Sequence, residues 1–584
     1  MGGTYSDLVS EVYIEPVRNV VVVDDEFPTL DALIAKQLGD ASAWDGEQRD
    51  VEAVKDILSF CRGRTRPWLV DVHDGREIDV NGEVNIAQHL HHSDLMILDY
   101  HLLGDAGTGE KSIRILKQLA KNPHFNLVVV YTKGYDGDIQ KVFSEIAIAL
   151  SYSEFGFQPI DEFSKVNELI AEWETVEDNV ADSILQLASL TDYLRERTNP
   201  GTFARSAAMP RLLKILKTKN VPDGLEPKLV ISWIFQTLHN ANSGMMSSTD
   251  LGNTCSSCTE EINWIKTNSL FITVVNKRHK AHELEDKLAQ ALSDFAPPPH
   301  QLLMARMRAE IDAKGVVAEA AVLDDKYMQA GWLSELFSGN ERSRTSAVRA
   351  TVDRHWEALG DRLRVDIDEF AQRLVDNLHG QGREQIMKRY GGGVHNEIET
   401  LLSHVNLYNS TKPVDFTHLR TGQIFELNSD KGIELWICLS PACDLVPGQK
   451  NNGWRVSLGG RVPFMAVKLD EMKVSTALDK VQENVNLFVR LDGKVRAFSY
   501  CPEGNPLSSP HWEQMFVLNN GEFIENGSNL QICRIRDIEG NIQSCTYDVK
   551  VVAQLRNEYA VNLLQRLGGN FSRVGLNFRS RPVN

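Results

Sequence analysis

The feature that most constrains this chain is an alternation of short apolar runs with amphipathic stretches over about residues 19–170. Runs rich in Val, Ile and Leu, such as VVVV at Val20–Val23 and LVVV at Leu127–Val130, alternate with segments of helical spacing such as IRILKQL. Strands that alternate with helices imply right-handed crossovers and a parallel sheet covered on both faces. The sequence therefore predicts a doubly wound α/β domain, which we place at residues 18–169.

Two regions of different periodicity follow. Over residues 170–402 apolar side chains recur three or four positions apart, which predicts a mainly helical region. The β-branched run LFITVV at Leu270–Val275 is an exception that indicates either a strand or the start of a buried helix. Over residues 414–584 short strands alternate with Gly, Asn and Asp turns before a closing helix. We therefore predict a multidomain protein whose C-terminal domain is a β-rich barrel or sandwich with a terminal helix.

Charge and composition exclude several functional classes. The net charge of -18 repels phosphate backbones, and no recognition-helix pattern is visible, so we predict no nucleic-acid partner. No apolar run approaches the roughly 20 residues of a membrane-spanning helix, and the N-terminal segment lacks the pattern of a secretory signal. We therefore expect a cytoplasmic protein with no membrane association. The eight cysteines do not form a dense framework, and we interpret them as reduced thiols.

Acidic and hydroxyl side chains follow three of the predicted strands, at the edge where open α/β sheets bind ligands. Asp24 and Asp25 come directly after the first apolar run, Asp99 comes directly after LMIL, and Thr132 closes LVVVYT. Three carboxylates held close together repel one another unless a hard divalent cation lies between them. The sequence therefore predicts a Mg2+ site with a hydroxyl beside it.

This constellation resembles the receiver domains of response regulators in two-component systems. The resemblance makes Asp99 the aspartate that accepts a phosphoryl group, as a 4-aspartylphosphate, from the histidine of a sensor kinase. It makes Asp24 and Asp25 the acidic pair that holds Mg2+ together with Asp99 and with the backbone carbonyl of His101. It also makes Thr132 the hydroxyl that binds the phosphoryl group. The resemblance covers about the first third of the chain.

The sequence departs from the family at one position. Receiver domains carry a Lys after their fifth strand, often before Pro and three residues beyond an aromatic side chain. The segment FGFQPIDEF aligns best there, with Phe155 at the aromatic position, Gln158 in place of the Lys and Pro159 after it. Gln donates a hydrogen bond but brings no charge. Lys133, next to Thr132, is the alternative source of a cation.

Three other groups of cysteine and histidine residues could carry chemistry. Cys255 and Cys258 form a lone CxxC without a second pair at zinc spacing, which favours two reduced cysteines. His282 and His355 lie on helical stretches, as a phosphotransfer histidine would, but exposed helix histidines are far commoner. Cys443 precedes an acidic residue, and no partner His lies near it in the sequence. None of these groups predicts catalysis.

Together these patterns predict a response regulator with an output other than DNA binding, phosphorylated by a sensor histidine kinase. A second response regulator is a further candidate partner. A receiver joined to large regions of another type is similar to bacterial phage-defence phosphorelays of the Detocs type, in which such a protein acts as a phosphate sink. Two alternatives stay open: a phosphorylation-gated effector enzyme, and a degenerate receiver used as a docking module. No assembled nucleophile and base is visible, so beyond phosphorylation of Asp99 we predict no enzymatic activity and leave that of the C-terminal domain open.

Overall fold

The structure is a computed structural model of the chain. It describes residues 3–571 except for 41–42, 45, 76–92, 103–107, 154–162, 199–200, 218–219, 253, 324, 338–340, 392–393, 395–396, 430–431, 448–456, 506–507 and 525–526. The chain forms two compact units, Met1–Ala313 with Asp366–Asn377, and Lys314–Val365 with Leu378–Asn584. No helix in the described part combines the length and the apolar composition of a membrane span.

The first unit contains an open sheet. Its described strands are β1 (Asn19–Val23), β2 (Leu69–His73), β3 (Leu95–Leu98), β4 (Asn126–Thr132), β5 (Cys255–Cys258), β6 (Asn263–Lys266) and β7 (Leu270–Asn276). The strand order is β2-β1-β3-β4-β7-β6-β5; the first five strands are parallel, and β6 and β5 extend the sheet as an antiparallel hairpin. The predicted doubly wound α/β domain is thus confirmed. Its central strands read as unbroken apolar runs because both faces of the sheet are covered.

The strand β7 reaches the sheet from the region of helical periodicity. The run LFITVV is a strand, and its side chains are buried. β7 pairs in parallel with β4, so that Thr132 lies opposite Asn276. A series of helices and the β5–β6 hairpin separate β4 from β7 along the chain. Two strands that are neighbours in space are therefore far apart in sequence.

Helices cover this sheet and continue its core. They are α1 (Tyr5–Tyr13), α2 (Leu30–Gln37), α3 (Gln48–Arg62), α4 (Glu110–Leu119), α5 (Ile139–Leu150), α6 (Phe163–Glu174), α7 (Val180–Leu185), α8 (Leu190–Thr198), α9 (Ala208–Ile215), α10 (Pro227–Asn242), α11 (Leu284–Phe295) and α12 (Pro299–Leu323). One apolar cluster runs from β3 and β4 through α4 and α5 into α6, α8 and α10. The inserted helices thus pack as part of the first unit.

The second unit is built on a closed barrel. Its strands are β8 (Thr411–Lys412), β9 (Gln423–Ser429), β10 (Gly432–Cys438), β11 (Val462–Met472), β12 (Asn486–Leu491), β13 (Lys494–Ser499), β14 (Trp512–Val517), β15 (Asn529–Ile538) and β16 (Asn541–Leu555). Six of them form a ring in the order β10-β9-β16-β15-β14-β11, and pairing of β10 with β11 closes it. The ring confirms the barrel alternative of the sequence analysis. The other three strands extend it, β8 from β16 and β13 with β12 from β11.

The remaining helices are α13 (Lys326–Phe337), α14 (Glu341–Gln381), α15 (Arg383–Tyr390), α16 (Ile398–Ser410), α17 (Val474–Asp479) and α18 (Asn557–Phe571). The predicted helical middle and terminal helix are both present. α18 buries Ala560, Leu563 and Leu567 in the barrel core, at the three- and four-residue spacing of one helix face. The C-terminal helix therefore belongs to the barrel domain.

Candidate functional site

Three carboxylates lie together at the carboxyl edge of the parallel strands. Asp24 and Asp25 follow the last residue of β1, and Asp99 follows the last residue of β3. The backbone N–H of Asp99 donates to the carbonyl of Val23 at 2.8 Å, which holds the two strand ends side by side. One oxygen of each carboxylate lies within 4.8 Å of one oxygen of the other two. The structure thus brings together the three carboxylates named from the sequence.

A lysine that the sequence analysis did not identify lies between two of these carboxylates. Lys277 directly follows β7, and its Nζ donates to Asp24 Oδ2 at 2.7 Å and to Asp99 Oδ2 at 2.8 Å. Burial lowers the pKa of Lys277, but attraction to Asp99 and Asp24 outweighs it and raises the pKa above its usual value. Lys277 is therefore a charged ammonium in contact with the predicted phosphoacceptor.

The loop that carries Lys277 is held by the end of β4. The backbone N–H of Lys277 donates to the carbonyl of Thr132 at 2.8 Å, which continues the strand pairing by one residue. The hydroxyl of Tyr131 lies 2.5 Å from the carbonyl oxygen of His279 and 3.3 Å from that of Lys277. Because a hydroxyl has one proton to donate, it is shared between two carbonyls of this loop. Tyr131 thereby restrains the backbone from which the lysine side chain extends.

The electrostatics of the carboxylates fit a divalent cation. Burial raises the pKa of Asp24 to about 7, with the Lys277 ammonium opposing the shift and the charge of Asp99 adding to it. Burial, followed by the charge of Asp99, also raises the pKa of Asp25. The buried Oδ1 of Asp25 has no hydrogen-bond partner among the residues that the structure describes. An unpaired buried oxygen is costly, and carboxylates are the ligands that Mg2+ takes in proteins, so these donors fit Mg2+.

Thr132 and His101 lie beside the carboxylates. Thr132 is fully buried, and its Oγ1 is 3.3 Å from His101 Nδ1 and accepts a hydrogen bond from the backbone N–H of Gly134 at 3.2 Å. The backbone N–H of His101 is 3.5 Å from Asp99 Oδ1. Both residues therefore lie at the same edge of the sheet as Asp99, and the predicted contact of the Thr132 hydroxyl with a phosphoryl group stays a prediction. The role of the His101 carbonyl as a metal ligand stays a prediction.

A polar cluster connects the loops of the site to α5. Glu145, on α5, accepts hydrogen bonds at its Oε2 from the hydroxyls of Tyr100 at 2.5 Å and Tyr135 at 3.0 Å. The ring of His101 packs edge-on against Tyr135, with 5.0 Å between centroids. The loop after β3 and the loop after β4 thus share one carboxylate on the following helix. A change at Asp99 or Thr132 has a contiguous route of packed side chains to α5.

The two residues predicted to stand in for the family lysine have different outcomes. Gln158 lies outside the described residues. Lys133 is half exposed, and its Nζ is 2.9 Å from Glu26 Oε1, whereas Lys277 Nζ is 4.0 Å from the other oxygen of Glu26. Lys277 is the lysine that contacts Asp24 and Asp99. The signal in the sequence was the apolar run LFITVV followed by Asn-Lys. To use it, one had to recognise that the fifth parallel strand follows a long insertion.

The other reactive residues lie apart from this cluster. The eight cysteines are free, and burial raises the thiol pKa of both Cys255 and Cys258. Cys443 is exposed on a short turn of the second unit. His282 and His355 are exposed. Raised pKa values leave the CxxC thiols protonated near neutral pH, so nothing in their surroundings activates them.

Comparison with known proteins agrees with this site. Residues 16–181 match the family described as "Response receiver domain". The match spans Asp24, Asp25, Asp99 and Thr132 and ends before β7 and Lys277. It supports a receiver domain in this part of the chain, which in general is a phosphoryl-accepting module. No curated protein and no solved structure matches the chain.

Proposed function

We propose that the protein is a response regulator in which Asp99 accepts a phosphoryl group from the phosphohistidine of a sensor kinase. The observation that carries the proposal is the cluster of Asp24, Asp25 and Asp99 with Lys277 bonded to Asp99, at the end of strands that match a receiver family. A structural ion-pair network would be expected to balance its charges. Here one lysine contacts two of the three carboxylates, and one buried oxygen of the third is unpartnered in the described chain.

The reaction is an in-line displacement at phosphorus. An oxygen of Asp99 forms the new P–O bond while the P–N bond to the kinase histidine breaks and its electron pair returns to the imidazole. Mg2+ held by Asp24, Asp25 and Asp99 would neutralise charge on the transferring oxygens. Lys277, now bonded to Asp99 Oδ2, is placed to donate to a phosphoryl oxygen instead. The Thr132 hydroxyl is placed to donate to another, at the expense of its contact with His101.

The helix α2 supports a protein donor. It follows the Asp24–Asp25 turn directly, and none of its side chains is buried. Leu30, Ile34 and Leu38 recur four residues apart and are exposed by 67, 49 and 83%. An apolar stripe on a helix next to the acceptor suits an amphipathic helix of the kinase. Leu38→Glu is expected to slow transfer from the kinase without slowing transfer from a small phosphodonor, whereas Val176→Glu, at another exposed apolar residue, changes neither.

The decisive experiment uses a small phosphodonor and Mg2+ with the full chain. Wild type is expected to gain one acid-stable, hydroxylamine-labile phosphoryl group, visible by intact mass. Asp99→Ala is expected to gain none, and Asp71→Ala, which removes an exposed carboxylate in the middle of β2, is the matched control. Labelling that persists in Asp99→Ala would overturn the assignment. Failure of wild type to be labelled by either the donor or a histidine kinase would favour the docking module.

The output of the phosphorylated protein stays a hypothesis. A phosphate sink in antiviral signalling would suit an uncharged residue at the position of the family lysine, whereas Lys277 supplies a cation at hydrogen-bond distance from Asp99. A charged contact couples more strongly to a phosphoryl group than a neutral one does, so the geometry favours a switch over a passive sink. Hydrogen exchange of α5 with and without phosphorylation separates the two, because a sink predicts no change there. Three further statements about the output stay proposals: that it does not bind DNA, that a second response regulator is a partner, and that phosphorylation gates an effector enzyme.

A further inference from the structure

A pair of helices in the second unit leaves an apolar surface uncovered. We define the α13–α14 hairpin as residues 326–365, which are α13 and the first part of α14. This short segment holds nine of the thirty-three exposed large hydrophobic side chains of the described residues: Tyr327, Met328, Trp332, Leu333, Phe337, Val348, Val352, Trp356 and Val365. Such a concentration exceeds the scattered apolar residues of an ordinary protein surface.

The hairpin has little packing of its own. Trp332 Nε1 donates to Thr351 Oγ1 at 3.0 Å, and Arg354 pairs with Glu335 at 3.3 Å on the exposed side. α13 buries none of its residues, and the described side chains of the hairpin include only Thr351 and Leu363 as buried ones. Helices of about 12 residues are marginal in water unless an apolar face is packed. The hairpin therefore requires a cover.

We propose that the cover is the same hairpin of a second copy of this chain, so that the two hairpins form a four-helix bundle about a twofold axis. Val348, Val352 and Trp356 recur four residues apart along α14, which gives one apolar stripe. A hairpin that exposes an apolar stripe completes a bundle when that stripe meets the stripe of its own copy. The same patch then serves both subunits.

The charge distribution of the hairpin permits a second copy of the chain at this surface. The hairpin contains seven Lys or Arg and five Asp or Glu, in a protein of net charge -18. Two such acidic molecules repel each other over most of their surfaces and least at this segment. Because both signs are interspersed along the hairpin, twofold pairing can set cations of one copy opposite carboxylates of the other.

The exposed area is of the size that a stable dimer needs. The four aromatic side chains Tyr327, Trp332, Phe337 and Trp356 are exposed by 77, 38, 79 and 62%. At the area typical of aromatic residues their exposed parts amount to about 500 Å² per chain, of which the interface would cover the side that faces the partner. The exposed Met, Leu and Val side chains add to this, towards the roughly 800 Å² per partner of a standard interface.

The test is the oligomeric state of the full chain by sedimentation over about 1 to 100 µM protein. Wild type is expected to be a dimer in this range. Trp356→Glu and Phe337→Glu are expected to raise the dissociation constant at least about 100-fold, because each buries a charge in the bundle. Ile542→Glu is the matched control, since it changes an equally exposed apolar residue on the barrel strand β16 and should stay dimeric.

Hydrogen exchange of wild type gives a second readout that needs no variant. Amides of residues 326–365 are expected to exchange more slowly as the protein concentration rises. A wild type that is monomeric at every concentration overturns the proposal. In that case slow exchange would mean that the hairpin is covered by its own chain, and rapid exchange would mean that the hairpin is not folded. A dimer that both hairpin variants leave intact also overturns it.

Discussion

The open sheet of the first unit and the closed barrel of the second unit both hold carboxylates beside cations, in different proportions. In the barrel, Glu434 and Glu513 face Lys468, Arg534 and Arg536 at 2.5 to 3.8 Å. Burial raises the pKa of Glu434, but its hydrogen bonds with Lys468 and Trp436 outweigh burial and hold the pKa below its usual value. At the sheet edge, Lys277 contacts two of the three carboxylates, and burial raises the pKa values of Asp24 and Asp25.

The difference separates a structural network from a reactive one. We call a cluster balanced when every carboxylate in it is paired with a cation, and such a cluster stabilises the fold that holds it. An unbalanced cluster stores repulsion that a metal ion or a phosphoryl group with its metal can relieve. The same residue types therefore serve stability in the barrel and ligand binding at the sheet edge.

The largest expected effect is on metal binding. Asp25→Ala removes a carboxylate whose oxygen lacks a partner, and it is expected to weaken Mg2+ binding by roughly 100-fold, since direct metal ligands matter more than the groups behind them. Calorimetric titration of the full chain measures this. Glu513→Ala, in the balanced cluster, should bind Mg2+ as wild type does. Equal affinity in wild type and Asp25→Ala would remove the distinction between the two clusters.

The next effect is on the stability of the barrel. Glu513→Ala leaves the buried Arg534 without its bidentate partner and is expected to lower the free energy of unfolding by about 3 kcal/mol. Glu471→Ala breaks the exposed pair with Arg496 and should cost less than about 1 kcal/mol. Unfolding of the barrel domain of the full chain by denaturant measures the loss of free energy in each variant. A loss no larger for Glu513 than for Glu471 would show that the buried cluster is not stabilising.

At the sheet edge the sign of the effect should reverse. Asp25→Asn in metal-free protein removes a half-buried charge that is repelled by Asp99, and is expected to stabilise the first unit by about 1 kcal/mol. Thermal unfolding in the presence of a chelator detects this as a higher midpoint. Asp71→Asn, at an exposed position, should leave the midpoint unchanged. Destabilisation by Asp25→Asn would mean that this carboxylate has a structural partner.

The smallest effect concerns the loop that delivers the cation. Tyr131→Phe removes the hydroxyl that donates to the backbone carbonyls of Lys277 and His279. This loss is expected to destabilise the ordered conformation of that loop by about 1 kcal/mol. The rate of amide hydrogen exchange at residues 277–283 is expected to rise. The rate of phosphorylation by a small donor is expected to change in the same direction as in the Lys277→Ala variant. In the Lys277→Ala background the tyrosine change should add nothing to the rate. Additive effects would show that Tyr131 does not act through the lysine.

The acidic half of the site was predictable because its signals are local. Asp24, Asp25 and Asp99 each follow directly on an apolar strand, and Thr132 ends another. The alternation of strands and helices already implied that these strand ends share one edge of a parallel sheet. The barrel strands were visible from period-two runs between turns, although barrel and sandwich share that pattern.

The basic half of the site depended on strand order. Lys277 reaches Asp99 only because β7 pairs with β4, although the helices α5–α10 and the β5–β6 hairpin lie between these two strands in the sequence. Pairing of β9 with β16, which the barrel ring requires, is likewise a contact between strands that are far apart in the chain. The sequence by itself determined which segments are strands and where carboxylates meet them, because those signals lie within a few residues. Only the tertiary structure decided which lysine faces the acceptor and that the barrel closes, because neighbours in a sheet need not be neighbours in the chain.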